Sequence, residues 1–174
     1  MKKAKEPVRS GHHAAARKCQ LAALIKPAFT FNKQGPDVTV KAVTHLNFRG
    51  EARAALAFYQ SVFDGAQTVV SYRDAGRVEK ETEADQVMWG QVTGASGFQV
   101  MAYDVPSSMP WDPGQIPFFI VLRGNNTDEL SAYWDKLANG ATILVPLAPA
   151  FWSQLYGMLK DRFGITWVLD IDAS

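Results

Sequence analysis

This 174-residue chain has little cysteine, little net charge and few long apolar runs, and each scarcity excludes something. Cys19 is the only cysteine. That leaves no internal disulfide, no CxxC pair and no cysteine-based metal cluster, and it makes a reducing cytoplasm the expected setting. No segment reaches the roughly 20 consecutive apolar residues that a helix needs to cross a bilayer, so no membrane contact is expected. There is no G-x-S-x-G elbow, no Walker loop and no HExxH pair. Gly94 and Gly97 in "TGASGFQV" lie between two apolar stretches and read as a hairpin turn, not a phosphate cradle. The formal charge is +1, but residues 1–36 carry eight Lys/Arg against Glu6 alone, so the other 138 residues sum to −6. An acidic domain offers no basic face for nucleic acid.

What is present is a hydrophobic content of 47%, enough for one sizeable domain or two small fused modules. The basic extension, residues 1–37, is set apart from the domain at 38–174. It is rich in Arg and Ala and poor in acids, which fits a presequence or a polyanion-binding arm. The simpler expectation, adopted here, is a poorly ordered extension.

From Val38 the pattern becomes regular. "VTVKAVTHLNF" alternates as a strand does. "EARAALAFYQSVFDGA" spaces Ala55, Phe58, Tyr59, Val62 and Phe63 as one face of a helix, with Gly65 expected as its left-handed cap. "AQTVVSYR", "QVMWGQVTG" and "FQVMAYD" supply three more strands. The plan then repeats with "IPFFIVLRG" as a strand and "NNTDELSAYWDKLANG" as a helix. That helix has Asn126 as N-cap, Glu129 at capping-box spacing and Gly140 at its end. "ATILVPLA", "YGMLKD" and "ITWVLDID" complete the second unit. An offset of 75 residues lays Gly140 on Gly65 and Tyr133-Trp134 on Phe58-Tyr59. The expected fold is therefore α+β, two tandem βαβββ modules at about 38–104 and 115–174. The Pro-rich "DVPSSMPWDPGQ" links them.

This doubled unit, with "HLNFRGEARAALAFYQSVFDGA" opening the first module and "FWSQLYGMLKDRFGITWVLDI" closing the second, resembles the vicinal oxygen chelate superfamily of glyoxalase, bleomycin-resistance and dioxygenase proteins. It is most similar to the PhnB-like branch, through Phe151, Trp152, Tyr156, Gly157, Asp161, Phe163, Gly164 and Trp167. Asp64 stands where that branch has a glycine. The resemblance implies mixed, curled sheets forming a cup, a homodimer, and either a bound small molecule or a metal-assisted reaction. Metal-dependent members carry three ligands, on the first strand of each module and on the last strand, leaving open positions for two substrate oxygens.

His45 falls at the first such slot. The second lands among Phe118, Phe119 and Ile120, and the third on Val168. Asp170 lies two residues on, about 6–7 Å along the strand. Two slots are thus apolar, and no cofactor is expected, a divalent metal being the alternative. His45 itself has two readings: a hydrogen-bonded rim residue, or a general base or ligand donor. Asn47 shares its face. With them, Trp89, Gln91, Phe118, Trp152 and Tyr156 are the candidate ligand-binding residues, flat rings giving stacking surface. Gln99 is a similar polar candidate. The expected function is binding of a small organic molecule in an aromatic cup. The alternative is a metal-dependent lyase, isomerase or dioxygenase. Methyl transfer finds no support, because no glycine-rich loop follows a first strand.

Overall fold

A computed structural model describes residues 42–116 and 118–171, within the unit Lys41–Ser174; the extension at 1–37 lies outside the described residues. The first module contains β1 (Thr44–Phe48), α1 (Ala52–Phe63), β2 (Ala66–Ser71), β3 (Val87–Thr93) and β4 (Gln99–Asp104). The second contains β5 (Ile120–Gly124), α2 (Thr127–Leu137), β6 (Thr142–Ala150), β7 (Ser153–Lys160) and β8 (Thr166–Ile171). Each module is one four-stranded sheet, ordered β1-β4-β3-β2 and β5-β8-β7-β6. In both, the first strand runs parallel to the last and the other pairings are antiparallel. The two sheets do not close on each other, so one chain does not enclose the expected cup by itself.

The period-two pattern explains the burial. Leu46, Phe48, Val92, Val100 and Ala102 are buried on one side of the first sheet, while His45, Asn47, Gln91 and Met101 alternate onto the other. The helices cover the buried sides. Alanine-rich α1 lies close to its sheet, and a side chain at Gly90 would collide with Leu56. In the second sheet a Cβ at Gly157 would sit 2.7 Å from Trp134 of α2, so this glycine is a packing point within β7. A single hydrophobic core joins the modules, running from Leu46, Leu56 and Tyr59 to Leu137, Trp167 and Leu169. No described helix is long and apolar enough to cross a membrane.

The close of α1 departs from expectation. The left-handed residue closing α1 is Asp64 (φ 45°, ψ 46°) and not Gly65. Gly65 is required instead because a Cβ there would lie 2.5 Å from the Thr93 carbonyl oxygen. Lys136 of α2 supports the strained end, donating to the Asp64 carboxylate at 2.8 Å and to the Val62 carbonyl at 3.2 Å. Asn126 caps α2 as expected, accepting from Asp128 N and Glu129 N. The Glu129 side chain accepts from the Tyr133 hydroxyl at 2.9 Å.

Candidate functional site

The strand β1 is an edge strand, and its alternation places His45 and Asn47 on the side away from α1, both exposed. His45 Nδ1 lies 3.1 Å from Asn47 Oδ1. A carbonyl oxygen only accepts, so in this pairing Nδ1 is the donor. Tyr103 meets the imidazole edge-on, with ring centroids 5.3 Å apart.

His45 and Asn47 form one wall of a cleft of about 780 Å³. Glu51, just before α1, extends that wall. It is held in place by Asp104 at the end of β4, only 1% exposed, whose carboxylate accepts from the N–H groups of Gly50 (2.6 Å), Ala52 (3.0 Å) and Val87 (2.9 Å). Asp104 thereby supplies the cap that Glu51, which makes no side-chain capping bond, does not. The inter-module segment forms a second wall through Trp111, Gln115 and Phe118. Arg49 fastens it, donating to the Met109 carbonyl at 2.7 Å and lying 5.4 Å over the Trp111 ring. The third wall is Lys160 with the β7–β8 turn, Phe163 to Thr166. Lys160 has no ion pair among the described residues. A smaller cleft of about 390 Å³ occupies the repeat-related place, between the 96–98 hairpin and β5.

The candidates divide among three locations. His45, Asn47 and Phe118 line the large cleft. Gln91 shares the sheet face with His45 and donates to Thr93 Oγ1 at 2.9 Å, and Trp89 lies two residues before it on β3; neither lines the cleft. Trp152 lies in the turn between β6 and β7 and Tyr156 on β7, and their rings meet at 5.5 Å and 73°. Trp111, Glu51 and Lys160 line the cleft as well, although strand and helix patterning singled out none of them for it.

Cross-strand register shows how the modules have diverged. On the first sheet His45 pairs with Met101, Met101 with Gln91, and Gln91 with Thr68. The corresponding row of the second sheet is Val121, Val168, Met158 and Val145. The position matching His45 is therefore Val121, one residue beyond the three expected, because two residues join β5 to α2 where three join β1 to α1. Neither valine nor methionine is a donor for a hard cation. The residues present do not fit a three-ligand centre, and no group of three His, Cys, Asp or Glu side chains suited to a metal occurs among the described residues. Asp170, the other carboxylate considered, is taken by Arg123 in a forked pair with its shorter contact at 2.6 Å.

Comparison with known proteins agrees with this architecture. The family described as the glyoxalase/bleomycin resistance protein/dioxygenase superfamily matches residues 42–169. The protein YjdN of Escherichia coli is 23% identical over 139 residues, covering 73% of this chain and 92% of YjdN. Protein PA1353 from Pseudomonas aeruginosa is 26% identical, with a TM-score of 0.66 over 77% of this chain and 98% of its own. A PhnB protein from Bacillus cereus, described as a putative 3-demethylubiquinone-9 3-methyltransferase, is 25% identical, with a TM-score of 0.59 over 76% of this chain and all of its own.

Proposed function

The chain belongs to the glyoxalase/bleomycin resistance protein/dioxygenase superfamily, and from that premise we propose that it binds a small organic molecule in the cleft beside β1. The observation that carries this reading is the asymmetry between the modules. The first keeps His45 and Asn47 at a cleft of about 780 Å³, while the matching row of the second is apolar. Trp111, Phe118 and Phe163 offer ring surface, and His45, Asn47, Glu51 and Lys160 offer polar contacts to orient the ligand. A second copy of the chain completes the assembly by covering the exposed apolar residues of the second sheet. The lone cysteine suits a cytoplasmic setting.

The test is tryptophan quenching against a panel of metabolites and antibiotics, repeated with Trp111→Phe and His45→Ala. A ligand that quenches the native protein and loses about tenfold or more in affinity with His45→Ala supports the reading. Quenching that neither substitution alters would refute it. An imidazole at the cleft also suits a base or a metal-assisted lyase, isomerase or dioxygenase. Elemental analysis separates these readings: below about 0.2 equivalents of divalent metal is expected from one imidazole. Stoichiometric metal lost with His45→Ala would establish the metal enzyme instead.

A further inference from the structure

The turn forming the cleft's third wall is organised around a buried anion. Asp161 is 4% exposed and has no cationic partner among the described residues. Its neighbour Arg162 points elsewhere, to the Asn139 carbonyl and over the Phe58 ring. Four neutral donors surround the carboxylate. Oδ1 accepts from the N–H groups of Phe163 and Ile165, each at 2.9 Å. Oδ2 accepts from the Trp167 indole at 2.9 Å and from the Tyr59 hydroxyl at 2.8 Å. The Asp161 backbone closes the same turn, donating to the Ile165 carbonyl at 2.8 Å and accepting from Gly164 N at 3.0 Å.

Two features connect this cluster to the cleft. Phe163, Gly164, Ile165 and Thr166, the residues the carboxylate and its backbone organise, are the wall itself. Tyr59 reaches Asp161 from α1 of the other module, 102 residues earlier in the chain. Burial first, and the Asp161 charge second, hold the Tyr59 hydroxyl well above the usual tyrosine range, so it remains a donor. We propose that Asp161 is a positioning residue for the cleft: its carboxylate, anchored across the module boundary by Tyr59, fixes where the Phe163–Thr166 wall stands relative to His45 and Asn47. The functional half of this inference rests on the cleft being the binding site.

Donor chemistry explains why the group must be a carboxylate. The two amides and the indole can only donate; the Tyr59 hydroxyl alone can turn round and accept. An amide side chain presents one oxygen and one NH₂. If the NH₂ faces Oδ2's partners it opposes the indole N–H, and if it is flipped it opposes both turn amides. Asp161→Asn therefore forces a donor against a donor in either orientation. Removing the indole donor with Trp167→Phe relieves the conflict, because the amide can then donate to Tyr59 and accept from the turn.

The experiment compares the full-length protein with Asp161→Asn, Trp167→Phe and the double variant, by amide hydrogen exchange and by titration with anilinonaphthalene sulfonate as a cleft probe. Asp161→Asn should speed exchange at Phe163 and Ile165 by about tenfold or more and weaken probe binding by about fivefold, leaving Gly90 and Val92 of β3 unchanged. In the Trp167→Phe background, the same substitution should cost much less by both measures. Unchanged exchange at the two turn amides, or equal losses in both backgrounds, would overturn the proposal. If Asp161→Asn does not fold, Tyr59→Phe decides. It removes only the cross-module donor, and unchanged turn exchange and probe affinity in that variant would count against the anchor. A probe that fails to bind the native protein refutes the cleft as its site, while the exchange measurements still determine whether Asp161 sets the wall.

Discussion

At the scale of single residues, two aspartates do work that charge counting would assign to the surface. Asp104 takes three backbone N–H donors, and Asp161 takes two backbone donors and two side-chain donors. Buried amides without an acceptor are costly, so Asp104→Ala should lose about 3 kcal/mol of stability, read from the urea midpoint, with Glu79→Ala as a near-neutral surface control. Tyr59 gives a pH signature. Its folded pKa is raised, so its stabilisation is complete below about pH 10, where the unfolded chain begins to lose the proton, and is lost as pH rises toward the folded value. Tyr59→Phe should therefore be less stable than the native protein by about 1 kcal/mol at pH 7. Denaturant melts between pH 9 and 11 should show the difference shrinking; a constant difference would contradict the assigned cause.

At the scale of elements, the glycines mark where helix and sheet touch most closely. A Cβ at Gly157 would meet Trp134 at 2.7 Å and the Leu147 backbone at 3.0 Å, whereas one at Gly124 meets nothing within 4 Å. Gly157→Ala should cost about 2 kcal/mol or more, because a rigid ring and a neighbouring strand must both move, while Gly124→Ala should stay within about 0.5 kcal/mol. Calorimetry on the pair checks this, and equal melting temperatures would show that α2 is not packed on β7 as described. The elements were legible in the sequence because alternation and the helical stripe are local signals: His45 and Asn47 share a face, Tyr59 and Val62 face the core. The cleft was not legible in this way. Lys160 and Trp111 join His45 only through the packing of one module's edge strand against the other module's turn, and no local period records that. The Asp64 cap and the slot at Val121 were missed for a related reason, since one residue of loop length shifts each assignment.

At the scale of the whole molecule, the two sheets differ in the faces they leave uncovered by helices. The first presents His45, Asn47 and Gln91. The second presents Val121 and Val145 at the two ends of one cross-strand row, and the turn after β6 exposes Phe151 at 102% and Trp152 at 61%. Scattered apolar residues are ordinary on a surface, but a contiguous group on one sheet and its edge strand is an interface signature, and edge strands are normally protected by charge or cover. Pro146 and Pro149 interrupt the pairing potential of β6 without making it polar. The proposed homodimer accounts for this face. Because Val121 and Val145 are exposed in the single chain, charging them should leave the protomer folded: Val121→Asp with Val145→Lys should keep the native circular dichroism. Sedimentation at micromolar concentration should then show the native protein as a dimer and the variant as a monomer. A native protein that sediments as a monomer would overturn the assembly, and a variant that remains dimeric would move the interface off the second sheet.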